Sequence, residues 1–196
     1  MEESHLILAS ASPRRKELLE QVWLAADVFP ADIEEKRQQG EKALDYVLRL
    51  AEEKARAVSE KYPESFILAA DTIVIGADGQ VLEKPLDQKD AARMLRELSG
   101  STHKVATAFS VCCQSKNKSI TKVVETEVEM VKLSEEEIDS YVMTEEPMDK
   151  AGSYAIQGTA AGFIKSIRGS YTNVVGLPVA EVMEVLIEEG VVEARL

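Results

Sequence analysis

The sequence has few of the residues that mark secreted, zinc-binding or nucleic-acid-binding proteins. Its only two cysteines, Cys112 and Cys113, are adjacent, and this spacing suits neither a metal site nor a loop-closing disulfide. We expect both to be buried as small apolar side chains. The 35 acidic residues outnumber the 23 basic ones, for a net charge of −12, and no long basic run is present. Stable binding to nucleic acid is therefore not expected, and an anionic ligand would need a local pocket.

Long apolar runs are also absent. No segment approaches the ~18 consecutive apolar residues of a membrane helix, and the acidic amino terminus does not resemble a signal peptide. We therefore expect a cytoplasmic protein that does not insert into a membrane. The 196 residues, 45% of them apolar, are enough for a core without disulfides or metals. No linker is visible, so we treat residues 1–196 as one domain.

Several catalytic signatures are missing as well. The sequence has no Gly-x-x-x-x-Gly-Lys-Ser/Thr phosphate loop, no Gly-x-Gly-x-x-Gly, no His-Glu-x-x-His and no nucleophile elbow. Its two histidines, His5 and His103, offer no obvious triad or zinc set. Kinases, dinucleotide-dependent dehydrogenases, zinc enzymes and serine hydrolases are all disfavoured.

The apolar pattern predicts a chain in which helices and strands alternate. Pro13 opens the first helix with Ser12 as its N-cap, and Ser134 with Glu137 forms a capping-box pattern. These features predict a mixed α/β fold. The predicted elements are strand 6–9, helix 13–23, helix 43–61, strand 66–70, a hairpin within 72–82, helix 87–98, strands 103–113 and 122–133, helix 134–143, strand 163–167 and helix 178–189.

The first strand-to-helix turn has the composition of a phosphate site. Small residues 10–12 precede Arg14 and Arg15, and free backbone N–H groups beside arginine side chains bind phosphate oxygens well. Cations are mildly unfavourable at a helix N-terminus, so something should compensate these two. On spacing alone, phosphate binding and a solvated surface are equally supported.

Two charged residues stand at the edge of apolar patterns. Lys54 lies close to the apolar stripe of its helix. A lysine at such a position either extends along the stripe to the solvent or contacts a ligand, and periodicity alone favours extension to the solvent. Asp71 ends the apolar run 66–70 and so is expected at the carboxyl end of a strand, where open α/β sheets bind ligands. Starting a turn is an equally supported role for Asp71. With Glu35 and Lys84, these residues supply what hydrolysis of a phosphate anhydride needs.

Six blocks of sequence together resemble one protein family. They are residues 10–19 (SASPRRKELL), 69–74 (AADTIV), 82–85 (LEKP), 149–158 (DKAGSYAIQG), 169–171 (GSY) and 174–178 (VVGLP). In this order they resemble the Maf family of nucleotide pyrophosphatases, and they extend over nearly the whole chain. The joint presence of the blocks is far more specific than any one of them.

The resemblance implies a fold and a reaction. The fold would be a two-lobed α/β structure with a mixed sheet, similar to the Ham1 inosine triphosphate pyrophosphatases, with the active site in a cleft between the lobes and usually a homodimer. The reaction would convert a nucleoside triphosphate and water to the monophosphate and pyrophosphate, with Mg²⁺ or Mn²⁺ as cofactor.

The resemblance also implies roles for individual residues. Asp71 would accept the proton of the attacking water and share the metal with Glu35. The phosphates would be held by Ser10, Arg15, Lys54 and Lys84. In the branch of the family that hydrolyses dTTP and UTP, the base is selected by three positions that here are Arg14, Thr72 and Gln157. A glutamine amide suits this task because it donates and accepts at once, as the edge of uracil or thymine requires.

Two alternatives remain open. A related branch acts on 7-methyl-GTP, but it lacks the Gly-x-Tyr-x-Ile-Gln-Gly pattern present at residues 152–158. Ser153 and Ala155 stand where the dTTP/UTP branch often has Ala and Gly, which could alter the ranking of substrates such as CTP. The second alternative is a nucleotide-binding regulator of septum formation without useful turnover. The retained Asp71, Glu35, Lys54 and Lys84 disfavour that alternative.

Overall fold

A computed structural model describes residues 5–194, in which helices and strands alternate as expected for the mixed α/β class. The strands are β1 Leu6–Leu8, β2 Asp27–Val28, β3 Phe66–Ile75, β4 Val81–Leu82, β5 Thr102–Cys113, β6 Lys118–Met130 and β7 Ile164–Arg168. The α-helices are α1 Pro13–Gln21, α2 Ala43–Ser59, α3 Gln88–Leu98, α4 Glu135–Val142, α5 Tyr171–Val175 and α6 Val179–Glu188. Short 3₁₀ helices lie at Glu146–Asp149, Ala151–Ser153 and Thr159–Phe163.

The described strands form one mixed seven-stranded sheet in the order β2-β1-β3-β5-β6-β7, with β4 paired to β3. Strand β1 runs parallel to both neighbours, with Leu8 opposite Val28 and Leu68. Strands β4 and β7 are antiparallel to β3 and β6, respectively. Side-chain contacts between β5 and β6 join Ser110 to Thr121 and Lys104 to Glu125, in reverse order along the two strands. This confirms the antiparallel pair predicted from the sequence.

The chain divides into two compact units, and the first contains β1, β2, α1, α2 and α6. This unit lies within Met1–Asp71, Thr107–Val124 and Gly176–Leu196. Helix α2 forms because apolar residues recur on one face and bury there, among them Val47, Leu50 and Val58. Burying each such large side chain contributes about 1.5 to 3 kcal/mol. The cluster between α2 and the parallel strands contains Ile7, Ala9, Ala55, Val58, Ile67, Ala69 and Cys112.

The second unit has its own apolar core around α3 and α4. It lies within Thr72–Ala106 and Glu125–Val175, and its core includes Leu95, Leu98 and Tyr141. Helix α3 begins where the Asp87 carboxylate accepts a hydrogen bond from the N–H of Asp90. Helix α4 has the predicted capping box, in which Ser134 and Glu137 satisfy each other's backbone N–H groups.

Two strand boundaries expected from the sequence are wrong, and a helix cap is confirmed only in part. The break expected at Asp71 is wrong, because β3 continues through it to Ile75, whereas the hairpin expected within 72–82 is confirmed by the antiparallel pairing of Val74 and Ile75 with β4. Ser12 is the N-cap of α1 as expected, but its side chain makes no capping hydrogen bond, and its backbone N–H donates to Ser10 Oγ. The second strand of the antiparallel pair ends at Met130 rather than at residue 133.

The expectation for the two cysteines is confirmed. Cys112 and Cys113 are both buried and unpaired, as small apolar side chains would be. Among residues 5–194, none of the helices combines the length and the apolar character needed to cross a membrane.

Candidate active site

Two polar residues of the first unit follow parallel strands, and a third lies within β3 just beyond its parallel pairing with β1. Ser10 lies two residues after β1, Glu35 lies in the segment after β2, and Asp71 lies in β3 beyond Leu68, where pairing with β1 ends. Since β1, β2 and β3 run parallel, their carboxyl ends face one edge of this part of the sheet, the edge at which α/β proteins bind ligands. The topology therefore gathers residues that are far apart in the sequence.

Helix α2 adds a lysine that joins two of these carboxylates. Lys54 Nζ lies 2.7 Å from Asp71 Oδ1 and 2.8 Å from Glu35 Oε1. The Lys54 and Asp71 side chains are only 9% and 10% exposed, whereas that of Glu35 is 44% exposed. The expectation that Lys54 reaches out to solvent is wrong, because its ammonium group is buried between two carboxylates. The attraction between the ammonium group and the two carboxylates is stronger here than in water, because the Lys54 and Asp71 side chains are shielded from solvent.

The arginine of the first helix turn is fixed in the same unit. Arg15 Nε donates to the carbonyl of Gly176 at 2.8 Å, and Nη1 donates to Ser10 Oγ at 3.1 Å. Burial lowers the pKa of the Arg15 guanidinium from its ordinary value, while the charges of Asp71 and Glu35 oppose that shift. These two carboxylates are the compensation that a cation in the first turn of α1 requires. Arg15 therefore remains a preoriented cation beside them.

The donor chemistry of this cluster fits a hard divalent cation. Glu35 and Asp71 both place an oxygen against the same positive group, the Lys54 ammonium. Mg²⁺ is commonly bound through one or two carboxylates together with substrate phosphates and water. Among the described residues, no group of three or more His, Cys, Asp or Glu side chains could hold a metal ion. Together with substrate phosphates and water, Glu35 and Asp71 would supply the kind of ligands that Mg²⁺ prefers.

The remaining residues predicted for the site lie at other positions. Arg14 is half-buried in the first turn of α1 and contributes a like charge beside Arg15. Thr72, Lys84 and Gln157 belong to the second unit. Thr72 is half-buried in β3, whereas Lys84 and Gln157 are exposed.

A close backbone approach brings the segment of Lys84 beside the block that contains Gln157. The N–H of Gly152 donates to the carbonyl of Glu83 at 3.1 Å. Gly152 has a positive φ of 68°, and a Cβ at this position would lie 2.8 Å from Val74 Cγ2. Only glycine combines this backbone conformation with this contact.

Sequence reasoning missed two contacts that shape these regions. The Gly176 carbonyl lies 161 positions from the arginine it binds, and only the block 174–178 drew attention to it. His103, which had offered no catalytic set, is 2% exposed and hydrogen-bonds through Nε2 to Tyr154 Oη at 2.7 Å. Its other nitrogen, Nδ1, is buried without a hydrogen-bond partner among the described residues.

The buried histidine predicts a specific dependence of stability on pH. Burial lowers the pKa of His103 to about 4, against an ordinary value of 6.5. Between these values the unfolded chain takes up a proton at this residue and the folded chain does not, so the free energy of unfolding decreases as the pH falls. The contribution is about 1.4 kcal/mol per pH unit in the middle of the window.

Urea unfolding of the wild type and of His103→Gln between pH 7.5 and pH 4 measures this contribution. We expect the variant to lose stability less steeply on acidification, since carboxylates contribute equally to both proteins. Equal slopes for the two proteins would contradict this assignment.

Comparisons with known proteins identify the family of this chain. Residues 5–189 match the family described as "Maf-like protein". A "dTTP/UTP pyrophosphatase" of Geobacter sp. (strain M21) is 50% identical over 95% of this chain and 96% of its own length. A protein of the same name from Anaeromyxobacter dehalogenans (strain 2CP-C) is 52% identical over 94% of each chain.

A solved structure supports the fold alone. The HAM1 protein from Coxiella burnetii aligns with a TM-score of 0.53 at 15% identity, over 94% of this chain and 99% of that one. The fold expected from the sequence is thereby confirmed. With a family match over nearly the whole length and relatives at half identity, this chain belongs to the Maf-like protein family.

Proposed function

We propose that this protein hydrolyses dTTP and UTP to the nucleoside monophosphate and pyrophosphate. The observation that carries the proposal is the cluster in which Asp71 and Glu35 flank the Lys54 ammonium with Arg15 nearby. Such a cluster combines a shielded carboxylate, able to accept a proton, with cations for phosphate oxygens. The names of the relatives support the same substrates.

In the proposed reaction, Asp71 accepts a proton from a water molecule. The water oxygen forms a bond to the α-phosphorus, the bond from that phosphorus to the bridging α–β oxygen breaks, and pyrophosphate leaves with the electron pair. Lys54 binds Asp71 through Oδ1, and we assign the proton to Oδ2. A positioned general base of this kind contributes about 10²- to 10⁴-fold to the rate.

The cations of the cluster would neutralise the phosphates. Arg15 enters the reaction already oriented by Gly176 and Ser10, so little side-chain entropy is lost when it binds a phosphate oxygen. We assign Ser10, Lys54 and Lys84 to the same task. Mg²⁺ or Mn²⁺ held by Glu35 and Asp71 would supply further neutralisation of the phosphate oxygens.

We assign selection of the base to Arg14, Thr72 and Gln157. The exposed Gln157 amide has an NH₂ group that donates beside a carbonyl oxygen that accepts, which match adjacent acceptor and donor groups on uracil and thymine. Cytosine presents the opposite pattern at the same edge, so an amide held in one orientation would discriminate against it.

Release of pyrophosphate from a panel of nucleotides tests this function. The panel contains dTTP, UTP, CTP, 7-methyl-GTP and ITP, each with Mg²⁺ or Mn²⁺. We expect the wild type to prefer dTTP and UTP. In Gln157→Ala, the ratio of kcat/KM for UTP to that for CTP should fall by about 3- to 10-fold, the value of one hydrogen bond.

Gln114→Ala is the matched control, because Gln114 is also an exposed glutamine but lies at the turn between β5 and β6. Its ratio should equal that of the wild type. The absence of turnover on every nucleotide would overturn the proposed function. A ratio in Gln157→Ala equal to that of the wild type would overturn only the role of the amide.

A further inference from the structure

The backbone around Gln157 is tied at both ends to the side chains of Tyr141 and Glu146. Before Gln157, the N–H of Ala155 donates to Tyr141 Oη at 3.2 Å. After it, the N–H of Thr159 donates to Glu146 Oε2 at 3.2 Å. Tyr141 Oη in turn donates to Glu146 Oε1 at 2.9 Å. One continuous path of hydrogen bonds therefore spans a segment that has no regular secondary structure of its own.

Close packing reinforces this path. The Glu146 carboxylate lies directly against the backbone of Gly158, where an added Cβ would overlap Oε1 and lie 2.9 Å from Oε2. The Tyr141 ring is 2% exposed and meets the ring of Phe163 edge to face, with centroids 5.2 Å apart. Tyr141 thus contacts the chain on both sides of Gln157, through its hydroxyl before it and its ring after it.

The backbone that presents Glu146 is itself constrained. Glu145 adopts a left-handed conformation with φ of 62°, which costs about 1 to 2 kcal/mol for a residue with a side chain. Thr144 Oγ1 donates to the Tyr141 carbonyl at 2.6 Å and accepts from the N–H of Glu146 at 3.3 Å. Conformations of this cost persist where the surrounding contacts impose them.

Glu146 is suited to act as a charged acceptor at the centre of this path. Partial burial by itself would raise the pKa of Glu146, but hydrogen bonds from Thr159 and Tyr141 outweigh it and hold the pKa below the ordinary value. Hydrogen bonds to a charged acceptor are about twice as strong as those between neutral groups. The Glu146 carboxylate is therefore a strong hydrogen-bond acceptor for the Thr159 N–H.

We propose that Tyr141 and Glu146 are positioning residues for base selection, which hold the segment of Gln157 so that its amide is presented at one place. This inference rests on the proposed function. The amide of Gln157 pairs with a base edge only where its backbone places it within hydrogen-bond distance. Discrimination by Gln157 therefore requires a restrained backbone, and the two side chains supply the restraint through the N–H groups of Ala155 and Thr159.

Tyr141→Phe tests the inference, because it removes one hydroxyl and leaves the ring on Phe163. We expect the UTP-to-CTP ratio of kcat/KM to fall by about 3- to 10-fold, with KM for UTP raised and kcat changed less than about twofold. Adding Tyr141→Phe to Gln157→Ala should lower the ratio no further, since both changes act through the same amide. Glu146→Gln, which keeps one acceptor oxygen, should show a smaller loss of discrimination than Glu146→Ala.

Tyr62→Phe is the matched control. The Tyr62 ring meets Phe29 edge to face with centroids 5.1 Å apart, so the same hydroxyl is lost from a similar ring pair in the other unit. Its ratio should equal that of the wild type, and cooperative thermal unfolding of Tyr141→Phe should show an intact fold.

Two results would overturn the inference alone. One is a wild-type ratio in Tyr141→Phe, and the other is an additive loss in the double variant, both found in a background where the wild type discriminates UTP from CTP. Absence of turnover in the wild type would instead overturn the proposed function, and this inference with it.

Discussion

Asp71→Asn is expected to lower pyrophosphate release by about 10²- to 10⁴-fold while nucleotide binding changes little. Asparagine keeps the shape of the side chain and can still accept the hydrogen bond that Lys54 donates at 2.7 Å. Its amide cannot take a proton from water at neutral pH, so the contribution of a general base is lost. Steady-state pyrophosphate release and equilibrium binding of UTP, measured on the same preparation, separate the two effects.

The same substitution at Asp27 is the control. Asp27 lies in the first unit and is also ion-paired, with its Oδ2 2.7 Å from His5 Nε2, but its side chain is 78% exposed. Asp27→Asn should retain wild-type turnover. A turnover in Asp71→Asn within about tenfold of the wild type would remove Asp71 from the role of base, since even a modest general base contributes more than that.

The elements that the sequence predicts well are those whose cause is local. The apolar spacing of α2 and the capping box at Ser134 and Glu137 are properties of a few neighbouring residues, and both are present as expected. Strand β2 has only two residues, Asp27–Val28, both exposed, and it exists because β1 offers a parallel partner. Such elements follow from tertiary pairing, which local patterns do not contain.

The candidate site also contains residues that the sequence indicates and contacts that it does not. The family resemblance implied roles for Ser10, Arg15, Glu35, Lys54 and Asp71, of which only Ser10, Arg15 and Asp71 lie in the six blocks, and the structure gathers all five in one unit. Periodicity placed Lys54 at the edge of the buried face, but it could not distinguish a solvated end from a partner, because the partner is 17 positions away. The block 174–178 contains Gly176, but the role of its carbonyl as the acceptor for Arg15 could not be predicted, since a backbone acceptor has no signature in the sequence.

Lys54→Met is expected to have the second large effect, on both stability and activity. The ammonium group is the cation that Asp71 and Glu35 share, so its removal leaves the buried Asp71 carboxylate without its partner. Breaking a buried pair from one side costs about 3 to 5 kcal/mol, and the phosphates would also lose a cation. Urea unfolding and pyrophosphate release on the same variant measure the two losses. Lys118→Met is the control. Lys118 also pairs with a carboxylate, that of Glu189 at 3.1 Å, but its side chain is 51% exposed, and an exposed ion pair contributes at most about 1 kcal/mol to stability.

A double variant separates the two consequences of removing Lys54. In Lys54→Met with Asp71→Asn, the buried position carries a neutral amide in place of an unpaired carboxylate, so part of the lost stability should return. Activity should not return, because neither the proton acceptor nor the cation is present. If the double variant were no more stable than Lys54→Met alone, the instability would come from packing around the lysine stem rather than from the uncompensated charge of Asp71. If it regained turnover, neither residue would belong to the catalytic cluster.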